Sequence, residues 1–329
     1  MRNENQFVVA LDLGGTKLAG ALVDRGGSVG RSMTESVDAR GGMAVVRQLV
    51  EMAHAVTGDA RRTGSKRGNQ KTKLEKGRVA AVGVAVPGLV RRDGTVWAPN
   101  LKGWTRTPLA RSLSKALGVP VEVESDRNAA VLGESWQGAA RGKGDVVVLM
   151  LGTGIGAGIL SGGRLVRGAH ELSGCAGWLT TRDELDGEAQ RVGQLESLAA
   201  GPGIVRAVAK ELERGMESLL AEVPAGTRTA QEVAEAARRG DMVSIEAFLE
   251  AGRMLGYGVA NLVSLFDPEV VVIGGGLANA SDLFLDGLRK AMKERAQPVA
   301  GSKVKVAVSR LGGKANLLGA ARVAWGEVM

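Results

Sequence analysis

The feature that most constrains the fold is a repeated unit of two apolar strands joined by a glycine-threonine turn. The first copy reads FVVALDLGGTKLAGALVD and the second reads DVVVLMLGTGIGAGIL. The turns consist of Gly14, Gly15 and Thr16 in the first copy and of Gly152, Thr153 and Gly154 in the second. Such internal repetition predicts a duplicated α/β fold whose halves face one another across a cleft.

The two turns also predict a chemical role. Glycines let the backbone approach a phosphate closely, and a threonine hydroxyl can donate a hydrogen bond to it. Asp12, at the end of the first strand, is placed to hold Mg²⁺ or its water ligands. The first turn is not a Walker A loop, because the GxxxxGK[ST] spacing is absent. Either turn taken alone is equally compatible with a plain hairpin, so the prediction of a polyphosphate site depends on the repetition.

A candidate base lies in the stretch VEVESDRNAAVLGE, which covers residues 121–134. Alternating valines predict a strand, and the Ala and Leu spacing that follows predicts a helix. Ser125 or Asp126 is then the N-cap. A carboxylate at that position lies among unpaired backbone N–H groups at the positive end of a helix dipole, which favours its ionised form. Asp126 is therefore a candidate base, and the alternative is that it only caps the helix.

The remaining elements follow from periodicity and from Gly and Pro punctuation. Helical spacing predicts helices over 41–57, 108–117, 198–220, 229–265, 283–296 and 316–328, with breaks in the fourth at Gly240 and Gly256. Buried strands are predicted over 79–86, 270–273 and 304–309, whereas residues 168–196 show no period. The strand over 270–273 runs into three glycines, a turn that can admit an adenine or a ribose against bare backbone.

Charge and composition exclude several classes of protein. The net charge is +8, but residues 61–78 contain eight Lys and Arg against one acid, which predicts a solvated basic loop and no nucleic-acid groove. The single cysteine, Cys175, excludes an internal disulfide. No apolar run reaches the roughly 20 residues needed to span a bilayer, and the first residues lack the apolar core of a signal peptide. The sequence therefore predicts a cytoplasmic protein with no membrane partner.

In combination and order, these motifs resemble the ROK family of sugar kinases and sugar-responsive repressors, within the actin-like, hexokinase and Hsp70 superfamily. The matching segments are LDLGGTK (11–17), PG (87–88), PNLKGW (99–104), SDRNAA (125–130), LGTGIG (151–156), GGG (274–276) and ANLLGAA (315–321). The resemblance implies an α/β fold of two actin-like, RNase H-like domains, each a mixed sheet flanked by helices. It implies a small domain over 1–124 and a large one over 125–314. The C-terminal helix, about 315–329, would pack back on the small domain.

The resemblance also implies ATP-dependent phosphorylation of a sugar hydroxyl by a homodimer, with ATP and Mg²⁺ as cofactors. Asp126 would take the proton from the hydroxyl group. The residues implied to bind phosphate, Mg²⁺ and adenosine are Asp12, Gly14, Gly15, Thr16, Lys17, Gly152, Thr153, Gly154, Gly275 and Gly276. Those implied to contact the sugar are Gly88, Asn100, Ser125, Asp126, Cys175, Trp178 and Glu196.

The sequence departs from the family pattern in the sugar loop and in the zinc segment. The family loop AGEIGH is replaced by SGCAGW over 173–178, so that a cysteine and a tryptophan stand for the sugar-binding glutamate and for the histidine that also ligates zinc. Of the family's CxCGxxGCxE zinc segment only GQLE over 193–196 survives. His54 and His170 are the only histidines, so no structural zinc is expected. Ser125 replaces the asparagine before the catalytic aspartate.

These replacements affect the expected substrate. Each lost charge-assisted hydrogen bond to a sugar is worth roughly 1.5 to 3 kcal/mol, so two lost partners weaken glucose binding by a factor on the order of a hundred to ten thousand. Trp178 would either stack on a sugar or fill the space left by zinc. Glu171 is an alternative source of a carboxylate, and Cys175 is expected to be a small buried residue.

Three functions remain open at this point. They are a glucokinase-like kinase, a kinase for another polyol or amino sugar, and a non-catalytic sensor that binds sugar and nucleotide. A base at Asp126 speaks against the sensor, which has no need of one. The repressors of the family carry an N-terminal helix-turn-helix extension, and only about six residues precede the first predicted strand here. No DNA partner is therefore expected.

Overall fold

The computed structural model describes residues 6–58 and 79–326, so the predicted basic loop over 61–78 lies outside the described residues. Its strands are β1 (Phe7–Leu13), β2 (Lys17–Asp24), β3 (Val29–Ser36), β4 (Val79–Val86), β5 (Leu89–Val90), β6 (Val96–Trp97), β7 (Val121–Ser125), β8 (Val146–Leu151), β9 (Ile155–Ser161), β10 (Arg164–Leu165), β11 (Val270–Gly274) and β12 (Lys305–Val308). Its helices are α1 (Gly42–Thr57), α2 (Leu109–Leu117), α3 (Asp126–Gln137), α4 (Gly187–Val192), α5 (Gln194–Ala199), α6 (Gly201–Glu213), α7 (Ala230–Arg238), α8 (Met242–Phe266), α9 (Ser281–Arg295), α10 (Pro298–Lys303) and α11 (Lys314–Ala324). Short 3₁₀ helices cover Ala176–Trp178 and Gly276–Ala280.

The chain divides into two units. The first comprises the described residues of Met1–Gly142, Arg164–Ser173 and Gly313–Met329, and the second comprises Lys143–Gly163 and Gly174–Gly312. The first boundary thus falls after α3, not after residue 124 as the sequence predicts. The reason is that α3 packs against α11 and follows β7 of the first sheet directly.

The first unit is built on a mixed sheet in the order β3-β2-β1-β4-β7. The β1 strand pairs antiparallel with β2 and parallel with β4, and β4 pairs parallel with β7. On one side of the sheet, α1 and α2 contribute to a core whose largest fully buried side chain is Trp104. This arrangement brings the carboxyl ends of β1, β4 and β7 to the same edge of the sheet.

On α11, small residues allow the helix to come very close to its neighbours. A Cβ at Gly319 would lie 1.8 Å from the carbonyl oxygen of Ala129 in α3, and a Cβ at Gly83 in β4 would lie 1.8 Å from that of Ala320. Only glycine tolerates such backbone approach. The close fit fixes the start of α11 beside the ends of β1 and β7.

The second unit repeats the central part of this sheet. Its strands β9, β8, β11 and β12 lie side by side in that order. The β8 strand pairs antiparallel with β9 and parallel with β11, and β11 pairs parallel with β12. The corresponding strands of the first unit are β2, β1, β4 and β7, with the same directions. The predicted duplication is therefore present in the strand order.

Most predicted elements are confirmed, and the exceptions have physical causes. The predicted break at Gly240 is confirmed, since α7 ends at Arg238 and α8 begins at Met242. The predicted break at Gly256 is wrong. A Cβ there would lie 2.6 Å from the carbonyl oxygen of Leu288, so this glycine lets α9 pack closely on a continuous α8. The aperiodic stretch 168–196 contains α4 and the first residues of α5. No helix in the described part of the chain is long and apolar enough to cross a membrane.

Candidate active site

The first glycine-threonine turn lies at the end of β1 with its backbone exposed. Leu13 is paired with Leu18, and the N–H of Gly14 donates to the carbonyl oxygen of Lys17 at 2.8 Å, which closes the turn. Gly15, Thr16 and Lys17 are exposed. A Cβ at Gly15 would meet no atom within 4 Å, so the backbone here is open on its outer side. Such bare backbone beside a lysine suits a phosphate group.

Asp12 precedes this turn and is held by a residue of the C-terminal helix. Its Oδ1 accepts a hydrogen bond from Nδ2 of Asn316 at 3.2 Å. Burial raises the pKa of Asp12 to about 6, against the lowering effects of the Asn316 hydrogen bond and of Lys17, and the nearby Asp126 raises it further. Oδ1 of Asn316 is buried and has no hydrogen-bond partner among the described residues. A carboxylate and an unpaired amide oxygen are oxygen ligands of the kind that Mg²⁺ or its waters take.

Asp126 is the first residue of α3, and Ser125 is the N-cap. The carboxylate accepts a hydrogen bond from the backbone N–H of Arg127 at 2.8 Å. Burial raises the pKa of Asp126, and the Arg127 N–H and charge oppose that rise. Neither Oδ1 of Asn128 nor the buried Oγ of Ser125 has a partner among the described residues. The helix start therefore combines a more basic carboxylate with two polar atoms that a ligand can satisfy.

The buried Glu124, two residues before Asp126, fixes the start of α3. Its Oε1 accepts from the backbone N–H of Ser125 and from Nδ2 of Asn128, both at 2.9 Å. Its Oε2 accepts from Arg167 at 2.7 Å. A buried carboxylate satisfied on both oxygens is rigid, and this rigidity orients the residues on either side of it.

Arg127 is a site residue that the sequence did not single out. Its buried guanidinium donates to the carbonyl oxygens of Ser173 (3.0 Å), Glu171 (3.1 Å) and Gly88 (3.4 Å). Glu171 has a φ of 59°, the left-handed region that favours glycine. Arg127 thus anchors a strained segment and the Pro87-Gly88 turn on the helix that carries Asp126. The only signal in the sequence was an arginine directly after the candidate base.

In the second unit, the other glycine-threonine turn joins β8 to β9. The N–H of Gly152 donates to the carbonyl oxygen of Gly154 at 3.0 Å, and the carbonyl of Gly152 accepts from Gly201 at the start of α6 at 2.9 Å. Thr153 is exposed. This turn opens on a cavity of about 920 Å³, whose walls include the starts of α6 and α7 and the 3₁₀ helix at Gly276–Ala280. The volume is in the range of small-molecule pockets.

Gly275 fixes the wall of this cavity. Its φ is 84°, and a Cβ there would lie 2.2 Å from the carbonyl oxygen of Leu151. The glycine therefore lets the turn after β11 lie directly against the end of β8. Gly276 follows on the exposed side and lines the cavity with Gly152 and Thr153. Bare backbone at this point leaves room for a flat ring.

We name residues 174–178 the acceptor loop, because the sugar-binding candidates Cys175 and Trp178 lie there. The N–H of Ala157 donates to the carbonyl oxygen of Gly174 at 2.7 Å, which attaches the loop to β9. Cys175 is exposed, so the prediction that it is buried is wrong. The buried residues of this short 3₁₀ helix are its neighbours Ala176 and Gly177. Trp178 is 58% exposed and does not fill an internal space.

Glu196 and the remaining predicted sugar ligands are placed as follows. Oε2 of Glu196 accepts from the N–H of Ile155 at 2.8 Å, and burial raises the pKa of Glu196. Asn100 is exposed in the loop after β6. Glu171, the alternative carboxylate, instead forms an ion pair with Nε of Arg92 at 2.8 Å.

Within the first unit the structure brings Asp12, Asp126 and the first turn together. Within the second it brings Gly152, Thr153 and Gly276 together.

The residues present do not fit a structural zinc ion. No group of three or more His, Cys, Asp and Glu side chains that could hold a metal ion occurs within 6–58 and 79–326. Where the zinc segment is implied, the buried side chain of Gln194 instead forms hydrogen bonds with the backbone of Thr181, Arg182 and Glu184. A neutral carboxamide is a poor zinc ligand next to thiolate and imidazole.

The chain is similar to a known protein family and to individual relatives over most of its length. The family model for the "ROK family" matches residues 8–327. A glucokinase of Streptomyces coelicolor is 33% identical over 331 residues, which cover 97% of each chain. A xylose repressor of Caldicellulosiruptor bescii is 33% identical over 73% of this chain and 61% of its own length.

The fold is also similar to a solved structure. A ROK family glucokinase of Streptomyces griseus, crystallised with glucose and AMPPNP, is 32% identical and has a TM-score of 0.77. The similarity covers 97% of this chain and 99% of the other. The expected α/β class of mixed sheets flanked by helices is thereby confirmed.

Proposed function

This chain belongs to the ROK family, and we propose that it catalyses the ATP-dependent phosphorylation of a hydroxyl group on a carbohydrate. The Streptomyces griseus relative binds glucose and an ATP analogue, and the Streptomyces coelicolor relative is a glucokinase. Both are similar to this chain over nearly its whole length. The observation that carries the proposal is the environment of Asp126, a carboxylate of raised pKa at a helix start, close to Asp12 and to an exposed phosphate turn.

In this mechanism Asp126 accepts the proton of the acceptor hydroxyl as the oxygen attacks the γ-phosphorus. A raised pKa makes its carboxylate a stronger base, and the carboxylate need only remain ionised at the working pH. The N–H of Arg127, at 2.8 Å from Oδ1, fixes the orientation of the carboxylate. Ser125, whose buried Oγ has no partner among the described residues, is available to the acceptor as a second polar contact.

The donor nucleotide is assigned to the turns and to the cavity of the second unit. Gly152 and Thr153 would meet phosphate groups, and Gly275 and Gly276 would leave space for the adenosine. Gly14, Gly15, Thr16 and Lys17 form a second candidate phosphate site, which belongs to the first unit. Transfer of a phosphoryl group needs mainly positioning and neutralisation of charge, which such turns supply.

Mg²⁺ would be held at Asp12, directly or through its waters. The residues present fit such an ion for two reasons. A nearby cation would stabilise the ionised Asp12 carboxylate, whose pKa is raised by burial, and it would give the unpaired Oδ1 of Asn316 a partner. When bound, the ion neutralises charge on the phosphate oxygens. Asn316 then has a positioning role, since its Nδ2 holds the Asp12 carboxylate.

The acceptor loop supports a carbohydrate kinase whose preferred acceptor need not be glucose. Cys175 and Trp178 are both exposed, and they stand where the family has a glutamate and a histidine. An exposed indole can stack on the apolar face of a sugar ring or polyol. An amino sugar or another polyol is therefore the second candidate acceptor.

A coupled ADP assay over a panel of sugars, amino sugars and polyols tests this proposal. We expect ADP formation that depends on one class of acceptor and on Mg²⁺. Trp178→Phe keeps a stacking ring and should retain that activity, whereas Trp178→Ala should raise the KM for the acceptor. ADP formation with none of the acceptors, from protein that binds ATP, would favour a non-catalytic sensor instead.

A further inference from the structure

The side chain of Gln194 uses all of its hydrogen-bonding capacity on one loop. Gln194 is the first residue of α5 and is only 3% exposed. Oε1 accepts from the backbone N–H groups of Thr181 (2.5 Å) and Arg182 (2.9 Å). Nε2 donates to the carbonyl oxygens of Arg182 (2.8 Å) and Glu184 (2.6 Å). A carboxamide has two lone pairs and two N–H groups on these atoms, so it is fully satisfied.

The loop held in this way covers residues 179–186, and we call it the pinned loop. It lies between the 3₁₀ helix at Ala176–Trp178 and α4, and residues 182–186 are exposed. Gln194 therefore forms hydrogen bonds with backbone groups of Thr181, Arg182 and Glu184. In a helix or a strand, other backbone groups would form these bonds. A fully satisfied buried network of this kind rigidifies the segments that it joins.

The turn that carries Gln194 lies directly against the acceptor loop. Gly193 has a φ of 98°, and a Cβ there would lie 2.4 Å from the carbonyl oxygen of Gly177 and 2.8 Å from Cα of Trp178. A Cβ at Gly177 would in turn lie 2.9 Å from Cβ of Glu196. The backbone of the acceptor loop thus rests on the Gly193–Glu196 turn. The position of Trp178 depends on both the turn and the pinned loop that follows it.

The family's zinc segment, aligned to end at Glu196, covers residues 187–196, which form α4 and the start of α5. Gln194 stands where the last cysteine of that motif would be. We propose that Gln194 is a positioning residue that fixes the acceptor loop through hydrogen bonds, so that acceptor binding in this chain does not depend on a structural metal ion. The part concerning the acceptor rests on the proposed kinase function. The part concerning the loop and the metal does not.

The decisive variant is Gln194→Leu, which has similar volume and removes all five hydrogen bonds of the carboxamide, including the one that Oγ1 of Thr181 donates at 3.3 Å. We expect the KM for the acceptor to rise by about tenfold or more, the factor for the loss of one ordinary net hydrogen bond. The KM for ATP should stay within about twofold, because the cavity of the second unit does not include Gln194. Amide exchange should accelerate in a peptide that covers residues 179–186. Gln190→Leu, on the exposed surface of α4, is the matched control and should change neither quantity.

A conservative variant separates positioning from folding. In Gln194→Glu the introduced carboxylate can accept from Thr181 and Arg182 but cannot donate to the carbonyls of Arg182 and Glu184 until it is protonated. The protection factor of the 179–186 peptide, taken relative to the intrinsic exchange rate at each pH, should therefore partly recover as the pH falls. This readout also applies if Gln194→Leu does not fold.

Metal content completes the test on the wild-type protein. We expect no stoichiometric zinc by mass spectrometry, and no change in exchange of the 179–186 peptide when 1,10-phenanthroline is added with Mg²⁺ in excess. The proposal is overturned by one zinc ion per chain whose removal loosens this peptide, or by a Gln194→Leu variant with unchanged exchange and acceptor KM. If the wild type phosphorylates no acceptor, the kinase function fails, while exchange and metal content still decide the role of Gln194.

Discussion

At the scale of single residues, Asp12 and Asp126 show how burial gives two carboxylates different work. Burial is the largest effect on both and raises both pKa values. Asp12 accepts from the side-chain amide of Asn316, whereas Asp126 accepts from the backbone N–H of Arg127. The first is suited to hold Mg²⁺ and the second to take a proton.

The raised pKa values predict an acidic limit to catalysis. Because the pKa of Asp12 is about 6, kcat/KM should fall as the pH drops below about 6 and this carboxylate becomes protonated. The raised pKa of Asp126 adds to the fall on the acidic side. Higher Mg²⁺ should move this limb to lower pH, because the cation favours the ionised form of Asp12. The pH dependence of kcat/KM at low and saturating Mg²⁺ measures this. A profile that stays flat down to about pH 5 at low Mg²⁺ would contradict the assignment.

The same shift predicts how Asp12 affects stability. Folding raises the pKa of Asp12 from 3.8 to about 6. The contribution of Asp12 to the free energy of unfolding is therefore fully present below pH 3.8 and is lost as the pH rises through about 6. Asp12→Asn should therefore stabilise the protein without ligands at about pH 8, by at most about 3 kcal/mol, and have little effect near pH 4. Thermal unfolding at the two pH values provides the measurement. An equal shift of Tm at both would contradict the predicted effect of burial.

At the scale of elements, the sequence predicted those parts in which pattern and burial coincide. The β1–β2 and β8–β9 units, β4 and β11 carry buried apolar residues, and all were predicted. The sequence does not predict the β3 strand, because nearly all its residues are exposed and its sequence shows no alternation of apolar and polar residues. Gly256 looked like a helix break, but its role is to admit α9, which only the packing reveals.

The candidate site was predictable to the same extent. The glycine turns and Asp126 have local signatures. The Asn316–Asp12 contact and the hydrogen bonds of Arg127 join residues far apart in sequence, so no local pattern announces them. The exposure of Cys175 does not follow from its residue type, because free cysteine is among the most buried residue types.

The start of α3 provides a test of the Arg127 anchor. Arg127→Leu should lower the free energy of unfolding by about 2 to 4 kcal/mol, because three partly buried carbonyls lose a charged donor and Glu171 keeps its left-handed backbone. The matched control is Arg92→Leu, which removes the other partner of Glu171. Arg92 is 81% exposed, so its ion pair is worth less than about 1 kcal/mol. Urea unfolding compares the two, and equal losses would contradict the proposed anchor.

The end of β11 provides a second test. Gly275→Ala should lower the free energy of unfolding by about 1 to 3 kcal/mol or more, since its Cβ would lie 2.2 Å from the carbonyl oxygen of Leu151 at a positive φ. Gly276→Ala adds the same methyl group where no atom lies within 4 Å and should leave stability nearly unchanged. Thermal unfolding of the pair without nucleotide distinguishes a strained turn from a general intolerance of alanine.

At the scale of the whole molecule, the duplication is the main result. Two sheets have the same central strand order. In each sheet a glycine-threonine turn joins the two strands of the first hairpin, β1–β2 and β8–β9. The repetition found in the sequence thus corresponds to a repetition of structure. The position of the boundary between the units could not be read from the sequence. α3 belongs to the first unit through its packing with α11, which lies at the other end of the chain.

The most direct test of the account is the Asp126→Asn variant, assayed for transfer of labelled γ-phosphate from ATP to the best acceptor. Nucleotide affinity is measured in parallel by calorimetry. The account predicts that transfer falls by about a hundredfold to ten thousandfold, the usual contribution of a general base. The Kd for nucleotide should not change. Asp286→Asn, at a fully exposed side chain on α9, should retain both. An Asp126→Asn variant that transfers phosphate at the wild-type rate would contradict the role of Asp126 as the base.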